Sequence, residues 1–205
     1  MSIFHEITKK PWLEEPVDSG GMPHQSAFFA PAGKVGLRVF LCVVTVIFTL
    51  TLIAYADRMR FPTWQIMPEP WVLWLNTAFL IIASFAMQRA LNSARQNHLN
   101  GVRDGLLLGG IFTFAFLTGQ VFVWQQLVEM GYYANTNTAN AFFYLLTALH
   151  GLHLVGGLVA WWRSVFRMWR GSSATDLRLS VELCTKYWHY LLLIWLILFG
   201  LLLIS

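Results

Sequence analysis

The sequence is poor in charged residues. Only 12% of its 205 residues are charged, while 57% are hydrophobic; soluble domains carry about a quarter charged residues. The formal net charge of +4 is small, and no basic patch is interleaved with aromatic residues in a polar segment, so nucleic-acid binding is not expected. The composition indicates an integral membrane protein.

Cysteine is also scarce, and the N-terminus lacks the pattern of a signal peptide. Cys42 and Cys184 are far apart and have no Cys-x-x-Cys spacing. Both are therefore expected to be buried, apolar thiols. Residues 1–21 carry charges and prolines where a signal peptide has an apolar core, so membrane insertion is expected to depend on the later segments.

Strand-like alternation of polar and apolar residues is absent as well, and long apolar runs stand in its place. In lipid, only helices and closed barrels satisfy the backbone, and the length of these runs favours helices. Each run is near or above the roughly 20 residues that a helix needs to cross the hydrocarbon. We predict an all-α, polytopic bundle of five transmembrane helices at about residues 34–56, 70–91, 104–128, 140–163 and 182–204.

The first 32 residues form a polar tail with four prolines. Such a segment cannot bury enough apolar surface to fold alone. We expect the tail to pack on the bundle or on a partner through Trp12 or Phe28, and residues 33–205 to form the five-helix domain.

The distribution of lysine and arginine predicts the orientation. One side of the bundle collects the basic residues of the tail, the second loop and the fourth loop, whereas the other side has Arg58 and Arg60. Because lysine and arginine favour the cytoplasmic side, we predict a cytoplasmic N-terminus and a periplasmic C-terminus.

The fourth predicted helix combines membrane burial with titratable side chains. Thr147, His150, His153 and Gly157 are three, three and four residues apart, so they share one helix face. One hypothesis makes the histidines neutral hydrogen-bonding groups between helices, with Gly157 giving room to a neighbour and His189 as the expected partner. One alternative is a catalytic membrane metalloprotein in which His150, His153 and His189 bind copper, iron or zinc. Another is a proton path through these histidines, although the interiors of the five predicted helices contain no Asp or Glu.

These residues belong to longer motifs. Residues 142–157, FFYLLTALHGLHLVGG, resemble the FY-x-x-TG-x-HG-x-H-x-x-x-G signature of subunit III of the haem–copper terminal oxidases. The later stretch from Glu182 through Tyr187-Trp188-His189-Tyr190 resembles that family's E…YWHF signature, and shorter motifs match in the second and third helices. Over about residues 33–204 the chain is similar to the short five-helix form. The signature residues, expected to make polar contacts between helices, are Asn76, Thr77, Gln120, Tyr144, Thr147, His150, Gly151, His153, Gly157, Glu182, Trp188 and His189.

The chain departs from the family where the family has carboxylates. Val43 and Val44 occupy the region of a membrane-embedded carboxylate in the first of these helices, and Leu192 replaces the aspartate of the last motif. The part that the family gives to carboxylates in proton uptake is therefore not carried over. In this respect the chain looks like a subunit III reduced to a scaffold.

The resemblance implies a non-catalytic core subunit of an aerobic respiratory cytochrome c oxidase, a proton-translocating complex of the bacterial inner membrane. In the family, haem and copper sit in subunits I and II, so neither is expected in this chain. Subunit III contacts subunit I, holds structural phospholipid, supports sustained turnover and is linked to proton and oxygen access. Subunit II and small subunits are further expected partners.

Two points stay open at this level. The electron donor binds to other subunits, so a quinol oxidase or nitric-oxide reductase complex is an alternative, and membership of a larger respiratory supercomplex is undecided.

Basic residues at the cytoplasmic helix ends suit phospholipid headgroups. The candidates for that contact are Arg89, Arg95, Arg178 and Lys186.

Overall fold

The computed structural model describes residues 32–61, 71–171 and 173–204, and the regular structure within these ranges is helical, without strands. Five helices in this part of the chain are long and apolar enough to cross a membrane. In chain order they are α1 (Ala32–Arg58), α2 (Val72–Arg95), α3 (Leu99–Glu129), α4 (Thr138–Trp169) and α5 (Ala174–Ile204). For the described residues, the predicted all-α architecture with five helices able to span a membrane is confirmed. The tail with Trp12 and Phe28 lies outside the described residues.

Helix α5 begins well before residue 182, the start expected from hydropathy. The hydroxyl oxygen of Ser173 accepts a hydrogen bond from the Asp176 N–H (3.3 Å), and the Asp176 carboxylate accepts one from the Ser173 N–H (3.3 Å). This reciprocal pair is a capping box, which satisfies two backbone donors at the start of the helix. Glu182 therefore lies about two turns inside α5 rather than at its end.

Three helix ends close with a residue in the left-handed conformation. Asn97 after α2 has a φ of 57°, Gly131 after α3 has a φ of 87°, and Gly171 after α4 has a φ of 83°. At the first two ends the N–H of the next residue donates to the carbonyl five residues back, at 3.0 Å and 2.9 Å. These are Schellman motifs, which satisfy the last carbonyls of each helix and turn the chain toward the next helix.

Helices α2 and α3 pack closely because α3 presents glycine at every fourth position, at Gly101, Gly105 and Gly109. A Cβ at Gly105 would come within 2.8 Å of backbone atoms of both Ala86 and Ala90 on α2. Small residues at this spacing allow two membrane helices to approach backbone to backbone. The spacing of these glycines is therefore a sequence signal for the pairing of α2 with α3.

Helix α1 lies at the edge of the bundle. Its buried residues are Val44, Phe48 and Tyr55. They form a hydrophobic cluster with Leu146 of α4 and residues of α5, separate from the main core of α2 to α5. A groove of about 1020 Å³ remains among α1, α4 and α5.

Candidate functional site

Three tryptophans donate their indole N–H to threonine hydroxyls on neighbouring helices. The pairs are Trp188–Thr113 (2.9 Å), Trp195–Thr77 (2.9 Å) and Trp124–Thr147 (3.1 Å). Each of these hydroxyls also donates to a carbonyl four residues back in its own helix, at 2.7 to 2.8 Å. Each threonine hydroxyl thus donates its proton within its own helix, and its oxygen accepts the hydrogen bond from the tryptophan N–H. The three bonds link α5 to α3, α5 to α2 and α3 to α4.

A carboxamide pair joins α2 to α3 beside these bonds. The Asn76 Nδ2 donates to the Gln120 Oε1 at 3.3 Å, and the two residues are 0% and 4% exposed. Gly119 leaves the space for this pair, because a Cβ there would come 2.1 Å from the Asn76 Oδ1. The structure thus brings together two signature residues that are far apart in sequence.

His150 is enclosed by aromatic rings. It is 0% exposed, and its ring centroid lies 5.3 Å from Trp195, 5.8 Å from Phe116 and 6.5 Å from Phe48. Neither ring nitrogen has a hydrogen-bond partner among the described residues. This corrects the expectation that His150 hydrogen-bonds to a neighbouring helix, because helices α1, α3 and α5 present rings at this level.

His153 also departs from the expected role. Its Nδ1 is 2.7 Å from the Leu149 carbonyl oxygen of its own helix. The bond between helices goes instead to the His153 backbone, whose carbonyl accepts from the Tyr187 hydroxyl at 2.9 Å. A Cβ at Gly157 would come 2.7 Å from the Tyr187 ring, so this glycine makes room for the tyrosine of α5.

The other signature residues of α4 have different surroundings. The Tyr144 hydroxyl donates to the Tyr132 carbonyl at 2.9 Å, which fixes the turn between α3 and α4. Gly151 has only loose contact, since a Cβ there would be 3.8 Å from the nearest side chain, Leu117.

Glu182 connects α5 to the start of α1. Its carboxylate lies 3.2 Å from the Lys34 ammonium and 2.7 Å from that of Lys186 one turn later. The glutamate side chain is 19% exposed and that of Lys34 is 30% exposed, so water screens the pair only in part. This ion pair ties the edge helix to the bundle at the end of the groove.

His189 contacts α2. Its Nδ1 is hydrogen-bonded to the Ser84 hydroxyl, and its Nε2 lies 3.0 Å from the Gln88 Oε1. Both ring nitrogens are thus used by α2, away from His150 and His153. His189 is therefore not the partner of the α4 histidines that the sequence suggested.

The metal-site alternative required His150, His153 and His189 to converge, and the contacts above place them in three separate settings. In residues 32–61, 71–171 and 173–204, no group of three or more His, Cys, Asp or Glu side chains could hold a metal ion.

Cys184 is buried as predicted, but Cys42 is exposed on α1, which corrects the expectation that both thiols are buried.

The groove beside α1 has mostly apolar walls and a basic end. Gly156, Gly157 and Ala160 shape its α4 side, and Arg163 and Arg167 line the same helix farther along. The four predicted headgroup residues are elsewhere: none of them lines this groove, and all are exposed. These are Arg89, Arg95, Arg178 and Lys186.

Comparison with known proteins identifies the family. The sequence profile described as "Cytochrome c oxidase subunit III" matches residues 12–204. Cytochrome c oxidase subunit 3 of Synechocystis sp. is 31% identical over 173 residues, which is 80% of this chain and 72% of that protein. The same subunit of Thermostichus vulcanus is 29% identical over 82% of this chain and 85% of its own length. A probable cytochrome c oxidase subunit 3 of Nocardia farcinica is 29% identical over 65% and 68%. The resemblance seen in the motifs is thereby confirmed, and this multi-pass chain belongs to the cytochrome c oxidase subunit III family.

Proposed function

We propose that this chain is a non-catalytic core subunit of an aerobic cytochrome c oxidase, which stabilises subunit I and supports proton and oxygen access to it. The observation that carries the proposal is the use of the signature side chains inside the chain. Trp188, Asn76 and Gln120 bond between helices, and His189 is held by α2. A motif used in this way builds a rigid scaffold, while haem and copper belong to partner subunits I and II.

The proposed orientation has the N-terminus in the bacterial cytoplasm, because lysine and arginine collect on that side. Reporter fusions at the two ends of the chain test it. A C-terminal alkaline phosphatase fusion should be active and an N-terminal one inactive; the reverse pattern would contradict the assignment.

Partner identity is tested by copurification. The full chain carries an affinity tag, native membranes are solubilised in mild detergent, and the recovered subunits are identified by mass spectrometry. We expect a haem–copper subunit I and a subunit II of the cytochrome c oxidase type. Recovery of quinol oxidase or nitric-oxide reductase subunits would select the alternative complex, and recovery of no haem–copper subunit would refute the proposal.

A second arm addresses the role in the complex. Deleting the chain should leave the haem spectrum of subunit I unchanged. It should reduce the number of turnovers that the oxidase completes before it loses activity. Stoichiometric haem or copper in the separately purified chain would show instead that it carries its own redox centre.

We further propose that the groove among α1, α4 and α5 holds a structural phospholipid. Apolar walls suit acyl chains, and Arg163 with Arg167 suits an anionic headgroup at the cytoplasmic end. Replacing both arginines by alanine should lower the phospholipid phosphorus that stays with the purified complex. Arg103→Ala, at an exposed residue of α3 outside the groove, is the matched control and should leave the retained lipid unchanged.

A further inference from the structure

Helix α1 is the least buried of the five helices. Only 17% of its most apolar stretch is buried inside the chain, against 39–50% for the other four helices. Its buried residues are Val44, Phe48 and Tyr55, so the part of α1 before Val44, about three turns long, contributes no fully buried side chain. Segments with few buried apolar contacts are the first to open locally. The beginning of α1 is therefore the part of the bundle that moves at the lowest cost.

The same part of α1 stands away from α4 and forms one wall of the groove. Gly36 of α1 and Gly156 of α4 both line the groove, and a Cβ added at either position would meet no atom within 4 Å. Farther along α1, the Phe40 ring lies 6.0 Å from the Tyr187 ring of α5, and the buried cluster begins at Val44. Fully buried packing thus anchors α1 only beyond the groove.

At the basic end of the groove, an ion pair connects α1 to α5. The Lys34 ammonium lies 3.2 Å from the Glu182 carboxylate, and the residues next to them in sequence, Gly33 and Leu183, line the groove. Both charged side chains are partly exposed to solvent, and ion pairs in such a setting are weak. This connection therefore breaks and re-forms readily, whereas the buried cluster beyond the groove keeps α1 attached to the bundle.

We propose that the Lys34–Glu182 ion pair is a latch that controls the exchange of the molecule held in the groove. When the pair is formed, the beginning of α1 closes the groove beside Arg163 and Arg167. When the pair is broken, this part of α1 moves away from α5 while the buried cluster stays packed, and the groove opens to the membrane. The inference rests on the proposed function, because the exchanging molecule is the phospholipid proposed above.

A thiol of the chain reports the opening of the groove independently of the lipid. Cys184 lines the groove and is 5% exposed, with its Sγ 3.8 Å from the Ser164 hydroxyl oxygen of α4. The purified complex carries Cys42→Ser, which removes the exposed thiol of α1, and is treated with N-ethylmaleimide. Mass spectrometry of the peptides follows the labelling of Cys184 with time. Since labelling requires the open groove, its rate measures the open fraction.

Lys34→Gln removes the latch but leaves Glu182 paired with Lys186, so no carboxylate loses its last partner. We expect this variant to speed the labelling of Cys184 by about two- to fivefold, the factor that corresponds to the loss of a partly exposed ion pair. Replacement of the retained phospholipid by added phosphatidylglycerol with deuterated acyl chains should speed up by the same factor. Arg38→Gln is the matched control, because it removes the same charge from an exposed position one turn later on α1, outside the groove lining. It should change neither rate.

Glu182→Gln separates the latch from a direct contact of Lys34 with the headgroup. If the pair is the latch, Glu182→Gln speeds labelling and lipid exchange as Lys34→Gln does, and the double variant is no faster than either single variant. If Lys34 instead attracts the headgroup, removal of the neighbouring carboxylate slows lipid exchange, and the latch is refuted. Equal labelling of Cys184 in the native chain and in both variants would refute it as well.

The outcomes distinguish failure of the latch from failure of the proposed function. If replacing Arg163 and Arg167 lowers the retained phospholipid but Lys34→Gln changes neither rate, the groove holds lipid and the latch is wrong. If replacing the two arginines leaves the retained phospholipid unchanged while Cys184 labelling responds to Lys34→Gln, the ion pair controls the opening and the proposed occupant is wrong.

Discussion

The Trp188–Thr113 hydrogen bond offers a direct measure of what the contacts between helices contribute to stability. Thr113 is 0% exposed and Trp188 is 1% exposed, and the indole nitrogen lies 2.9 Å from the hydroxyl oxygen. Thr113→Val keeps the shape of the side chain but removes the acceptor. The tryptophan N–H is then left in a site closed to water.

Two measured quantities bound the loss of unfolding free energy expected for Thr113→Val. A buried donor left without a partner costs about 1–3 kcal/mol. Hydrogen bonds between membrane helices measured by double-mutant cycles average about 0.6 kcal/mol and reach about 1.7 kcal/mol. Since this pair is fully buried, we expect Thr113→Val to lower the free energy of unfolding by about 1–2 kcal/mol.

The control is on the same helix. Thr118 also donates to the carbonyl four residues back, at 3.0 Å from Phe114, but its side chain is exposed. Thr118→Val therefore removes the same intrahelical bond without stranding a tryptophan, and the change should stay within about 0.5 kcal/mol. Unfolding of the chain by sodium dodecyl sulfate in mild detergent, followed by far-UV circular dichroism, gives both values.

A double-mutant cycle with Trp188→Phe isolates the bond from the loss of ring volume. The double variant should be more stable than the sum of the single changes predicts, with a coupling of about 0.6–1.7 kcal/mol. Equal effects of Thr113→Val and Thr118→Val, together with zero coupling, would refute the view that the tryptophan–threonine bonds stabilise the bundle.

Three further substitutions probe two helix ends and the packing of α3 on α2. Gly105→Ala would push a Cβ against the Ala86 backbone and should lower the free energy of unfolding by about 1–3 kcal/mol in the same assay. In the control Gly156→Ala, the new Cβ has no atom within 4 Å, so the chain should not be destabilised. Equal losses of stability in the two variants would contradict the packing account. Asn97→Ala, at a φ of 57°, should cost about 1–2 kcal/mol, whereas Asn97→Gly should be neutral or stabilising. Ser173→Ala removes the cap of α5 and should cost about 1 kcal/mol, with faster amide hydrogen exchange in the first turn; unchanged exchange there would argue against the capping box.

Much of the fold follows from local properties of the sequence. Five long apolar runs predict five helices, because an unpaired backbone is not tolerated in hydrocarbon. The ends are less accessible to hydropathy, since the polar first turns of α5 read as loop until the Ser173–Asp176 capping box is recognised. The shared face of Thr147, His150 and His153 follows from helix periodicity alone.

The partners of these polar residues depend on which helices are neighbours and how they are rotated. The Trp188–Thr113 and Asn76–Gln120 pairs join residues 75 and 44 positions apart, and no local rule predicts such matches. His150 illustrates the limit: its position on α4 was clear, but its aromatic surroundings come from three other helices.

The sequence by itself determined the membrane class, the five helices and, through the motifs of α4 and α5, the family. Those properties depend on chain composition and helical period, which are local. Only the tertiary structure decided that Gly105 brings α2 against α3, that His189 bonds to α2 rather than to the α4 histidines, and that a groove with Arg163 and Arg167 opens beside α1. These depend on close packing between distant segments, where one side chain's volume determines which neighbour can approach.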